Sequence, residues 1–192
     1  ERRHFTAGAG VVGLDIGIAG KSVPFGTDLL FRSEGSVPFT LHAEICEDIW
    51  MPMPPSTRAA LAGAEVLLNL SASNITIGKA DARRLLCASH SARMITPYAY
   101  SAAGPGESTT HLAWDGHAAI FENGGALGET ERFPLNGTLV TADIDLGRLR
   151  QERMRMNPYG DSVQRELGSA DAFRAVPFSL DRPEKTVPLR RR

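Results

Sequence analysis

The sequence predicts an α/β fold in which helices pack on a sheet, and three observations carry that prediction. Residues 37–46 set Phe39, Leu41, Ala43 and Ile45 at period two, with Thr40, His42 and Glu44 between them, as in a strand with one strongly apolar face. Residues 66–70 form a near-continuous apolar run between Gly63 and the polar Ser71, Ser73 and Asn74, the pattern of a strand buried on both faces. Residues 79–94 then space Leu85, Leu86, Ser89 and Arg93 as a helix would, and a further strand follows at 95–102.

The remaining elements are placed around this core. Glycine-rich turns alternate with short apolar runs at 11–18 and 28–31, which suits strands and hairpins. Pro52, Pro54 and Pro55 forbid regular structure after Cys46, and Ser56 can cap a helix over 57–62. Strands are expected at 117–122 and 139–144 and an arginine-rich helix at 146–156. Beyond Asn157 the prolines at 158, 177, 183 and 188 interrupt any period, so residues 1–157 are expected as the domain and 158–192 as a tail or interdomain linker.

With 192 residues, 42% hydrophobic and 22% charged, the chain is long enough for a substantial core. A net charge of -1 gives no electrostatic reason for a nucleic-acid or membrane partner. No apolar stretch reaches the roughly 18 residues of a membrane helix and no charged-then-apolar leader opens the chain, so the expectation is a soluble, cytoplasmic protein. Cys46 and Cys87 read as free thiols, and no Cys/His spacing suits a metal. The sequence opens at Glu1 without Met, which points to a natural start further upstream.

Cys46 is the sharpest candidate for chemistry. A thiol directly after a buried strand is held rigidly, and the turn beyond it offers backbone N–H groups to a carbonyl oxygen, as a nucleophile with an oxyanion site requires. The bland alternative is a small core hydrophobe, and Glu47 and Asp48 disfavour a thiolate unless a cation or base lies near. Lysine is scarce, at 21, 79 and 185 only, and Lys79 opens a helix, where a cation opposes the dipole. That placement hints at a bound anion, against the alternative of a solvated side chain. Cys87 reads as core, and His90 and His111 lack any local Asp or Ser context that would mark them as catalytic. Trp114-Asp115-Gly116 reads as a β-turn.

Several stretches together resemble the glutaminase domain of bacterial glutamine-dependent NAD synthetases, within the nitrilase or carbon-nitrogen hydrolase superfamily. They are Phe25-Gly-Thr-Asp-Leu-Leu-Phe31, Glu44-Ile-Cys-Glu-Asp-Ile-Trp50 with Pro52-Met-Pro-Pro-Ser56, Asn69-Leu-Ser-Ala-Ser-Asn74, Gly104-Pro-Gly-Glu-Ser-Thr-Thr110 and Leu112-Ala-Trp-Asp-Gly116. The resemblance implies a nitrilase-type αββα sandwich whose N-terminal strands and helices are missing here. It further implies a Glu-Lys-Cys triad in which Cys46 attacks the glutamine side-chain amide and the N–H of Glu47 helps to hold the oxyanion. The side chain of Glu47, with Ser73 and the surroundings of Lys79, would contact the amino and carboxylate groups of glutamine.

By the same resemblance, the family's general-base Glu and oxyanion Lys fall upstream of Glu1. The Ser-Gly-Gly-x-Asp-Ser phosphate loop is absent, so ATP and Mg are implied only for a synthetase domain elsewhere, and this chain takes no cofactor. The expected role is glutamine hydrolysis feeding ammonia to NAD synthesis from deamido-NAD in a homo-oligomeric parent enzyme, with this stretch alone inactive. The alternatives are a stand-alone amidase of the superfamily and a catalytically dead scaffold.

Overall fold

The computed structural model describes residues 6–8, 10–11, 13–107, 111–166, 168 and 173–180. Strands β1 (Leu14–Ile18) and β2 (Lys21–Phe25) form a separate hairpin, closed by Ala19 and Gly20 at φ 51° and 75°. Positive φ at both loop residues is the turn geometry that matches strand twist. In chain order there follow β3 (Leu29–Ser33), β4 (Phe39–Ile45), a short 3-10 helix (Cys46–Trp50), α1 (Pro55–Leu61), β5 (Val66–Ser71) and α2 (Lys79–Met94). Strands β6 (Pro97–Ala102), β7 (Ala118–Glu122) and β8 (Gly125–Glu129) precede α3 (Leu146–Arg155), α4 (Asn157–Arg165) and β9 (Arg174–Phe178).

Seven strands make one sheet in the order β8-β7-β6-β5-β4-β3-β9. Its centre is parallel, β4 against β5 and β5 against β6, with α1 and α2 as the crossovers. Strands β3 and β7 run antiparallel to that centre. The core lies between the sheet and α1 and α2, where Leu67, Tyr98, Tyr100 and Phe121 meet Ala59, Ala60 and Cys87. Of the expected αββα sandwich, the described residues thus supply a sheet and its helical layer. Among them no helix is long and apolar enough to cross a membrane.

Four expectations are corrected. Residues 139–144 are not a strand, and Leu139 is 87% exposed. The strand in this region is β8, which has little strand propensity but is folded onto β7 by Asn123-Gly124, a two-residue turn with φ 48° and 87°. Strand β5 is buried on one face only, since Leu70 is 60% exposed. Ser56 does not cap α1 but lies within its first turn, after Pro55 at the helix start.

Residues 158–192 are not all tail. Pro158 sits in the first turn of α4, where a missing N–H costs nothing, and Pro177 sits in the edge strand β9. Strand β9 pairs in parallel with β3, Val176 beside Phe31, and Arg174 bonds the Leu14 carbonyl and the Asp15 carboxylate. Pro158 and Pro177, which read as breakers, therefore occupy positions that tolerate them. Residues 181–192 lie outside the described residues.

Candidate active site

Cys46 stands at the C-terminal end of β4 and begins the 3-10 helix, and it is partly exposed. Its φ of 56° is left-handed, a conformation that costs a non-glycine residue roughly 1 kcal/mol or more and persists only where neighbours impose it. Three contacts do so. The Asp48 carboxylate accepts the Ile45 N–H at 2.9 Å, Asn69 Nδ2 donates to the Cys46 carbonyl at 3.3 Å, and the Met51 N–H donates to the Asp48 carbonyl at 3.1 Å. Asp48, one of the two acids that would repel a thiolate, is thus turned back onto the main chain. Glu47 points to solvent.

Because β4 and β5 are parallel neighbours, Ile45 against Leu70, the segment after Cys46 and the Ser71–Ser73 loop emerge at the same end of the sheet. Ser71 Oγ accepts from the Ser73 N–H at 3.2 Å and from the Tyr100 hydroxyl at 2.9 Å, which shapes the loop from below. Ser73 is buried, yet its Oγ has no partner among the described residues. A buried hydroxyl without a partner costs on the order of 1–3 kcal/mol, so this atom is suited to meet a polar group that enters the site.

Lys79 lies at the first position of α2 with Nζ 3.3 Å from Asn74 Oδ1 and 5.4 Å from the centre of the Trp50 ring. Trp50 closes the 3-10 helix that Cys46 opens. One amide and one aromatic face therefore hold an ammonium group beside a helix N-terminus, near the thiol's own helix, and the two positive ends together suit a carboxylate. The structure brings Cys46, Ser73 and Lys79 to one end of the sheet. Cys87 is separate from them, 1% exposed in the core of α2, with burial pushing its thiol up to about 12.

The layer beneath was not legible in the sequence. Glu44 is buried in β4 two residues before Cys46, where Oε2 accepts the Ser56 N–H at 3.0 Å and Oε1 accepts the Tyr98 hydroxyl. Ser56 Oγ meets His90 Nε2 at 2.8 Å, joining α1 to α2. Burial, and to a lesser degree Arg93, lowers His90 to about 4, so its ring is neutral. Arg83 Nη1 reaches both oxygens of Asp115, at 3.1 and 3.0 Å, and His117 Nδ1 at 3.1 Å. Since an arginine only donates, Nδ1 accepts, and His117 Nε2 carries the proton toward Glu129 Oε2 at 3.3 Å. Each of these pairs joins residues far apart in sequence, which local context could not reveal. Ser108, Thr109 and Thr110 of the polar loop lie outside the described residues, and among those described no group of acidic, His or Cys side chains is set to hold a metal.

The parallel-centred sheet, with its thiol held left-handed at a strand end, has the fold of a carbon-nitrogen hydrolase. The crystal structure of a carbon-nitrogen hydrolase from Helicobacter pylori shares it with a TM-score of 0.53 at 19% identity, over 72% of this chain and 50% of that one. The chain is a homologue of the glutamine-dependent NAD(+) synthetases. It is 51% identical over 191 residues to that of Mycobacterium tuberculosis and 31% identical over 163 residues to that of Arabidopsis thaliana, covering 100% and 83% of this chain. The crystal structure of a glutamine-dependent NAD(+) synthetase from Cytophaga hutchinsonii matches 68% of this chain and 20% of its own, with a TM-score of 0.56 and 27% identity. The chain spans 28% of the length of the mycobacterial relative and 21% of the plant one. No protein-family model matches it.

Proposed function

We propose that this chain is the nucleophile-bearing stretch of a glutaminase, in which Cys46 attacks the side-chain amide carbon of glutamine. The observation that carries the reading is Cys46 held left-handed at a strand end beside the Ser71–Ser73 loop. Attack forms a carbon-sulfur bond, the amide nitrogen takes a proton and leaves as ammonia, and water then cleaves the thioester to release glutamate and the thiol. The N–H of Glu47, in the first turn of the 3-10 helix, is available to the developing oxyanion because such groups lack an intrahelical partner.

Ser73 Oγ and Lys79 Nζ serve the amino-acid end of the substrate, the lysine facing its carboxylate and the unpaired hydroxyl supplying a hydrogen bond. The exposed Glu47 side chain serves the amino group by charge. The proton-transferring Glu and the oxyanion Lys of the family are assigned to the full-length protein outside this stretch. The ammonia acceptor, a synthetase domain that uses ATP and Mg to make NAD from deamido-NAD, is assigned there too, as are homo-oligomeric assembly and a cytoplasmic location.

The test is ammonia release from glutamine by the full-length natural chain that carries this sequence. Turnover is expected there, with loss of about three or more orders of magnitude in Cys46→Ala, and none in residues 1–192 alone. Full activity in Cys46→Ala, or steady hydrolysis by residues 1–192 alone, would overturn the mechanism. Hydrolysis of other amides with glutamine ignored would leave Cys46 in place and transfer the reading to a stand-alone amidase.

A further inference from the structure

Glu44 is a buried acid two residues before the proposed nucleophile, and nothing in the reaction above uses it. It is 2% exposed and faces the core rather than the site. Its two oxygens tie three elements together. Oε2 accepts the backbone N–H of Ser56 at the start of α1, and Oε1 accepts the hydroxyl of Tyr98 on β6. The chain between Glu44 and Ser56 is the segment that contains Cys46 and the proline-rich turn, so the first of these bonds closes that segment at its base. Glu44 also performs, from another element, the capping that Ser56 does not give its own helix.

The neighbouring strand completes the arrangement. Asn69 pairs with Glu44 across β4 and β5, and its Nδ2 donates to the Cys46 carbonyl at 3.3 Å. Burial, followed by the nearby Glu44 charge, raises Tyr98 far above the ordinary phenol value, so its hydroxyl keeps its proton and remains a donor. A left-handed cysteine relaxes unless its surroundings over-determine it. The surroundings here are a closed, buried network whose members lose more than their pairwise share when one is removed.

We infer that Glu44, held by Tyr98 and Ser56 and seconded by Asn69, is a positioning residue that fixes the left-handed turn at Cys46. The inference rests on reading Cys46 as the nucleophile, and it separates from the glutaminase reading because thiol reactivity needs no substrate. Removing the tether lets the turn relax toward solvent. Cys46 then alkylates faster while turnover falls, because the thiol is more accessible but less well aimed. Overall loosening of the fold would instead expose Cys46 and Cys87 together, since Cys87 lies in the same core.

The experiment compares wild type, Glu44→Ala, Glu44→Gln and Tyr98→Phe in the full-length natural chain, reading iodoacetamide labelling of the two cysteines by peptide mapping alongside glutamine kinetics. In Glu44→Ala, Cys46 labelling is expected to rise about fivefold or more with Cys87 still protected, while kcat falls about tenfold or more and KM stays within about threefold. Glu44→Gln, which keeps an acceptor in place, recovers part of both, and Tyr98→Phe shifts both in the direction of Glu44→Ala even if the alanine variant does not fold. Cys46 labelling unchanged in the variants that fold, or rising in step with Cys87, overturns the inference. The expected labelling pattern in a protein that ignores glutamine upholds the tether and removes the glutaminase reading.

Discussion

The two faces of the seven-stranded sheet carry opposite chemistry. Toward α1 and α2 the register stacks His42, Leu67, Tyr98 and Phe121 in one row and Glu44, Asn69, Tyr100 and Ala119 in the next. The other face stacks Ala43, Leu68, Ala99 and Ile120, then Ile45, Leu70, Ser101 and Ala118, and β9 adds Val176 and Phe178. The apolar face is the open one: Ile45 and Leu70 are 66% and 60% exposed, whereas Glu44, Asn69 and Tyr100 are buried. Burial here follows which face the helices cover, and the covered face holds polar side chains because α1, α2 and the loops supply partners for them. The side chains proposed to position Cys46 lie on that face.

The largest effect is expected where the covered face buries charge. Arg83 and Asp115 are 1% and 0% exposed and form their ion pair under Tyr100, with the Arg83 guanidinium 5.1 Å from the ring centre. Removing one partner leaves the other charge buried and alone, so Asp115→Ala and Arg83→Met should each destabilise by about 3–5 kcal/mol in urea unfolding. Replacing both with apolar residues should cost clearly less than the sum. A loss below about 1 kcal/mol in either single variant would show that the covered face does not depend on its charges.

The sequence made one face of this contrast legible and concealed the other. Period two found β4 and its apolar set, and helical spacing placed α2 at its observed bounds, because both depend on neighbours a few residues apart. The spacing of Leu85, Leu86, Ser89 and Arg93 marks a helix but not its inward stripe, since Leu85 is exposed and the buried positions are Ala80, Arg83, Cys87, His90 and Ser91. A stripe with an arginine and a histidine looks like a surface until Asp115 and Ser56 arrive from elsewhere in the chain. The same holds for the site. Cys46, Ser73 and Lys79 are proposed from motifs, while Glu44, Tyr98 and the Arg83 network are joined by pairs far apart in the sequence.

A second, smaller effect depends on pH. Unfolded histidine ionises near 6.5, whereas His90, desolvated between α1 and β6, is held at about 4. Between those values the unfolded chain binds the proton and the folded chain does not, so stability is complete above about 6.5 and declines as pH falls toward about 4. The loss amounts to about 3 kcal/mol at most, from the 1.36 kcal/mol that accompanies each pKa unit. His90→Gln should flatten this part of the profile. Equal pH slopes for wild type and variant, in paired denaturation series between pH 7.5 and 4.5, would remove His90 from the account.

The smallest effect on stability is expected on the open face, and it distinguishes cover from hydrophobicity most sharply. Threonine keeps the β-branched preference of a strand while removing apolar surface, so Ile45→Thr and Leu70→Thr test exposure with little disturbance of the sheet. Side chains already more than half exposed have little burial left to lose, and each change should cost about 1 kcal/mol or less. Fluorescence of a hydrophobic dye should nevertheless drop by roughly half or more in the double variant, because these two residues extend the apolar surface of the middle strands to its rim. Leu67→Ala in the same strand, pointing the other way and fully buried, should leave the dye signal unchanged and cost about 2–5 kcal/mol. Similar losses for Leu67→Ala and Leu70→Thr would mean that both faces are covered in solution, and the contrast between them would not survive.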